Sequence, residues 1–133
     1  MDAQTLAKKK AEAYNKAVTD AKRVIRSPDT PKTLNTGAQN KHIKGSKGYI
    51  EDRSYIFGDL ETAQTLVNRY SGTGEPVLTH AGLWANKEIV RADKTIGVSI
   101  NPETKEETIT KQFTIHYGKH GTHIVPRKEE QAK

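Results

Sequence analysis

At 133 residues the chain is bounded to one domain with a modest core, and the absence of cysteine excludes disulfides and thiol chemistry, as suits work in a reducing cytoplasm. Lys and Arg number 22 against 16 acidic residues, a net +6, which favours a polyanionic partner, nucleic acid first, held through its phosphates. No apolar run nears the ~20 residues of a membrane-spanning helix and the N-terminus lacks a signal-peptide core, so no membrane partner is expected and entry into another cell would need a larger carrier.

Residues 2–26 place Leu6, Tyr14, Ala17, Val18, Ala21, Val24 and Ile25 at spacings of three and four, the pattern of a helix that stops before Pro28. The turn-rich stretch 27–37 is expected to be an exposed linker. The expected division is therefore a helical leader and linker over 1–37, a compact domain over 38–127 and a charged tail over 128–133. In QNKHIKGSKGYI, His42 stands among Lys41, Lys44 and Lys47, with Gly45 and Gly48 allowing backbone to approach a ligand. This is no P-loop, since the four-residue gap and the GK[ST] ending are missing. On composition alone it is a flexible basic loop.

SYIF within residues 51–57 suggests a short strand. Asp59 then caps a helix over 60–70 whose stripe is Leu60, Ala63, Leu66, Val67 and Tyr70, with Gly72 ending it. Residues 71–83 are expected to be loop, and His80 within them a surface residue. From Trp84 the apolar period changes to two, and residues 87–92, 95–100, 108–117 and 122–126 form four expected strands. The fold class is then α+β: N-terminal helices followed by a four-stranded antiparallel sheet packed on the 60–70 helix.

The last two strands flank Gly118-Lys119-His120-Gly121 and make a hairpin. With an even-numbered loop, His116 opposes His123, and both share a face with Thr114 and Val125. Phe113, Ile115, Ile124 and Pro126 take the core face. Directly opposed histidines have Cβ atoms roughly 5 Å apart. A one-residue slip in register would part them. The spacing His116-x3-His120-x2-His123 resembles a metal-ligand run, but the glycines break any helix there and no cysteine is available, so no metal or other cofactor is expected.

Three blocks, QNKHIKGSKGYI, WANKEIVRADKTIGV and HYGKHGTHIVP, together resemble the bacterial polymorphic toxin domain called type 50. That family is regarded as a ribonuclease sharing the fold of barnase, EndoU, the tRNA-cleaving colicins and RelE. The resemblance spans residues 39–126 and departs at the turn, where Gly118-Lys119-His120 stands in place of the family's Ser-Lys. It implies an effector used in interbacterial competition, secreted or carried into the target-cell cytoplasm. In the producer an acidic cognate immunity protein would neutralise it. It also raises His42, which occupies a signature position, above the loop reading.

RNA can be cut without metal because its own 2′-hydroxyl is the nucleophile; the enzyme must remove one proton and supply another. Two imidazoles suit that task near neutral pH. His42 and His123 are the expected pair, with His116 the third candidate, and Tyr117, Thr122, Lys87 and Lys47 the expected substrate contacts. The expected substrate is RNA, with tRNA one candidate. The alternative is a nucleic-acid-binding module or phage or secretion accessory domain with no catalysis.

Overall fold

The computed structural model describes residues 2–129. Asp2 accepts the Thr5 N–H and starts helix α1 (Ala3–Arg26), which ends at Ser27, the residue before Pro28. A short helix α2 (Thr36–Asn40) follows, then strand β1 (Tyr55–Ile56) and helix α3 (Leu60–Tyr70). α3 begins with a reciprocal Asp59–Thr62 capping box, and Gly72 just beyond its end takes the left-handed conformation that stops it.

The remaining strands are β2 (Glu75–Leu78), β3 (Trp84–Arg91), β4 (Gly97–Ile100), β5 (Glu107–Thr110), β6 (Gln112–His116) and β7 (His123–Pro126). They make two antiparallel sheets, one of order β2-β3-β6-β7 and one of order β1-β4-β5. The class is α+β, but its four-stranded sheet is not the expected one. β2 occupies the presumed loop, and residues 108–117 are two strands in different sheets. The break is at Lys111, where the Thr110 hydroxyl donates to the Arg127 carbonyl at 2.7 Å and accepts the Gln112 N–H at 3.0 Å. A side chain that satisfies backbone groups on both sides lets the chain change sheets without interrupting its period-two pattern.

One core joins the layers: Ala63, Leu66 and Val67 of α3 meet Phe113, Ile115 and Ile124 of the four-stranded sheet and Ile56 of β1. Ile25, from the last turn of α1, is fully buried in the same cluster. The stretch expected to be an exposed linker is tied down as well. Gln64 of α3 donates to the Lys32 carbonyl and accepts the Leu34 N–H, while Thr122 N–H bonds to Thr33 and Asn35 N–H to Thr122. Backbone groups in a polar, turn-forming segment still need partners, and here α3 and the start of β7 supply them.

Candidate functional site: a row of three imidazoles

Ile115 pairs with Ile124 across β6 and β7 on the core face, so the neighbouring pair, His116 and His123, stands on the opposite face. Their rings stack 4.5 Å apart at 12°. On the other side of β6, Lys87 of β3 is the direct partner of His116.

His42 comes to the row by another route. β7 is an edge strand, and an edge leaves backbone groups without a ladder partner. The Gln39 side chain of α2, wholly buried, fills that role at Ile124: its Nε2 donates to the Ile124 carbonyl at 3.0 Å and its Oε1 accepts the Ile124 N–H at 2.7 Å. Asn35 caps the same helix. Three residues beyond Gln39, the His42 ring lies parallel to His123, at 6.1 Å and 6°. His123 is the middle ring of three.

The His42 Nδ1 lies 2.8 Å from the Ser54 carbonyl oxygen. A carbonyl can only accept, so Nδ1 carries the hydrogen and, in the neutral ring, Nε2 keeps the lone pair. Ser54 is itself fixed, its hydroxyl accepting the Ile100 N–H at 2.9 Å.

Burial sets the charge of the row. It pushes His116 down to about 4, helped by the neighbouring His123, Lys87 and His42. It pushes His123 down to about 4 as well, helped by His42 and Lys41. His42 is also held below the usual histidine value, by burial first and then by Arg53 and Lys41, against the opposing pull of the Ser54 hydrogen bond. At neutral pH the row is therefore uncharged, its rings in the free-base form, with Lys41, Arg53 and Lys87 beside it. Among the described residues no three His, Asp or Glu side chains are grouped to hold a metal ion. His120, the middle member of the spacing that resembles a ligand run, lies exposed in the turn.

Every group in this description lies within residues 34–126, and that segment matches the family described as bacterial toxin 50, Ntox50. The chain belongs to the bacterial toxin 50 family. No curated protein matches it significantly. Among the described residues of this toxin domain, no helix is long and apolar enough to cross a membrane.

The toxin's other expected substrate contacts fall in different places. Lys87 is at the row, and Lys47 is exposed on the loop after His42. Tyr117 and Thr122 are not at the row. The Tyr117 hydroxyl donates to buried Glu88 at 2.6 Å and receives Ser71 at 2.6 Å. Burial and Glu88 hold that phenol well above its ordinary range, so its proton stays on. Glu88 also accepts the Gly72 and Gly74 N–H groups, which makes Tyr117 part of a sealed support for the β2–β3 region. Thr122 is fully buried, turned toward the carbonyls of Lys32 and Thr33. His80 is exposed and away from any such cluster. Gln39, Ser54 and Arg53 carried no readable signal, because each acts through a tertiary contact and not a pattern.

The depressed histidines should make the toxin acid-labile. Unfolded histidines take up protons near pH 6.5, whereas folded His116 and His123 do so only near 4. Between those values the unfolded chain binds more protons, so stability present above pH 6.5 is lost as pH falls toward 4. The expected loss is on the order of a few kcal/mol for the coupled pair. Urea midpoints from pH 7.5 to 4.5 measure it, and a His116→Gln/His123→Gln double variant should show a distinctly flatter dependence over the same range.

Proposed function

We propose that this toxin domain is a metal-independent endoribonuclease. The observation that carries the reading is the imidazole row, in which His42 is locked with its Nε2 lone pair free and His123 lies parallel beside it. His42 Nε2 removes the proton of the substrate 2′-hydroxyl. The 2′-oxygen attacks the adjacent phosphorus, forming the 2′-O–P bond, and the P–O5′ bond breaks. His123 delivers a proton to the departing 5′-oxygen, leaving a 2′,3′-cyclic phosphate and a 5′-hydroxyl. His116, stacked 4.5 Å from His123, holds its ring in orientation.

An acid must arrive protonated, and His123 alone is neutral at pH 7. The substrate supplies the remedy: an anionic phosphate beside an imidazole favours the charged form and raises its pKa. Lys87, Lys41 and Arg53 are placed to neutralise the phosphate oxygens as charge builds in the transition state, and Lys47 meets the strand further along. DNA, lacking the 2′-hydroxyl, is bound and not cut. Every residue given a role lies within 38–127.

The biological setting that follows is a carried effector acting on RNA, with tRNA one candidate, in the cytoplasm of a competing cell. A cognate immunity protein with an acidic face covers the basic site in the producer.

Purified protein incubated with total RNA in excess EDTA should cut it, and mapped ends should be 2′,3′-cyclic phosphate and 5′-hydroxyl. Cutting abolished by EDTA and restored by a divalent ion overturns the mechanism; binding without cutting overturns the enzyme. The pH profile adds a second check. The competent free enzyme needs His42 neutral and His123 protonated, and both titrate below 6.5. The optimum of kcat/KM should therefore lie below pH 6.5, and the optimum of kcat at a higher pH than that of kcat/KM, since kcat reports the phosphate-bound complex. A kcat/KM that keeps rising beyond pH 8 contradicts the assignment.

A further inference from the structure

The Ser54 carbonyl that orients His42 is bonded directly to Tyr55, so whatever occupies the outer face of β1 is a neighbour of the row. Ile56 points inward and is almost wholly buried, and its N–H bonds to the His42 carbonyl at 3.0 Å. Tyr55 and Phe57, one residue to either side, therefore face outward. Phe57 is 42% exposed although it is one of only 2 phenylalanines in the chain. The two rings meet edge to face at 6.4 Å. Lys44, from the loop that carries His42, holds its ammonium 4.9 Å from the centre of the Tyr55 ring. An outward pair of aromatics leaves apolar area in water.

We infer that Tyr55, Phe57 and Lys44 form a seat for one unpaired nucleobase of a single strand, next to the phosphate held at the imidazole row. An aromatic face accepts any base by stacking, and a cation beside it serves the adjoining phosphate. Charge places the seat on this side of the cluster. Tyr49, which meets the Tyr55 ring edge-on at 6.3 Å, lies near Glu51, Asp52 and Glu107, which repel phosphate. Tyr55 has Lys44 over it instead. Duplex RNA keeps its bases stacked inside and has nothing to offer the seat. The inference rests on the ribonuclease reading for its setting, since the seat matters to catalysis only if the row cuts RNA.

The test uses wild-type protein and a fluorescent single-stranded oligodeoxyribonucleotide, which lacks the 2′-hydroxyl and so survives intact. Affinity is read by anisotropy at several salt concentrations, against the same sequence as duplex. Phe57→Ala and Tyr55→Ala should each weaken single-strand binding by about 5- to 150-fold, the range for one lost base–aromatic stack, and leave duplex binding unchanged. Tyr55→Leu, which keeps apolar bulk on the strand, should weaken it similarly and shows that loss of the ring face, not of folding, is responsible. Lys44→Ala should lower the salt slope by about one ionic contact.

Aromatic variants that bind single strands like wild type overturn the inference, as does an equal loss on duplex, or no single-strand binding at all. Loss of binding to a protein partner but not to the oligonucleotide would do the same and assign the patch to that partner. Cleavage assays separate the two readings. RNA cut normally by Phe57→Ala and Tyr55→Leu at unchanged KM sinks the seat and spares the ribonuclease. Aromatic-dependent binding by a protein that cuts no RNA keeps the seat and sinks the ribonuclease.

Discussion

His42→Ala and His123→Ala should each lower the rate of RNA cleavage by roughly 10²–10⁴, the usual loss when one general acid or base is removed. The proposed mechanism makes the two losses interdependent. His42 and His123 lie parallel at 6.1 Å, and in that mechanism they act on opposite ends of one displacement, so a base without its acid would complete little. The double variant should therefore fall well short of the product of the single losses, as groups acting as one unit do. Binding of the oligodeoxyribonucleotide should hardly change, because neutral imidazoles add little to charge attraction. His80→Ala is the control, exposed and outside the row, and should cut like wild type. His116→Ala should cost less than either partner of the pair, and its mark should be a shifted pH profile, since its ring stacks on His123 at 4.5 Å and removing it lets water reach His123. A dead His116→Ala beside an active His42→Ala would keep the row and transfer the base role. Normal cutting by all three single variants would remove the histidine mechanism altogether.

The row was half visible in the sequence, and the reason is physical. Strand geometry is local: the period-two pattern and the parity of the Gly118–Gly121 turn suffice to oppose His116 and His123, which is the register found. The α3 stripe with its Asp59 cap is local in the same way. His42 is different. Its place depends on Gln39 meeting Ile124, 85 residues away, and on Ser54 being held by Ile100. A buried glutamine has no pattern that announces it. Tyr117 shows the converse error. Its side of the strand was legible, but not that Glu88 and Ser71 would occupy its hydroxyl. β2 was hidden because Pro76 and the flanking glycines argue for loop. Pro is tolerated there because β2 is the edge of its sheet.

Gln39→Ala should damage both fold and site, and by different measures. Its amide meets both backbone groups of Ile124 and is itself fully buried. Truncation leaves one buried N–H and one buried C=O unsatisfied, each worth about 1–3 kcal/mol, so a loss of roughly 2–4 kcal/mol is expected after partial relaxation. That is a large part of the 5–15 kcal/mol typical of a domain. With α2 released from β7, the His42–His123 spacing loosens, and kcat should fall more than KM rises. Gln39→Glu tests the chemistry of the contact. The carboxylate can still accept the Ile124 N–H, but it sets a second oxygen against the Ile124 carbonyl; once protonated, it donates there as the amide did. Burial raises that carboxyl's folded pKa above its unfolded value, so the variant's deficit relative to wild type should be greatest at pH 8 and shrink as pH falls through the raised pKa. Urea midpoints of both proteins at matched pH give the difference directly and cancel the acid lability of the histidines. A deficit that ignores pH would mean the Ile124 carbonyl does not need its donor, and the clamp would be steric only. A Gln39→Ala protein as stable and as active as wild type would leave His42 positioned by Ser54 alone.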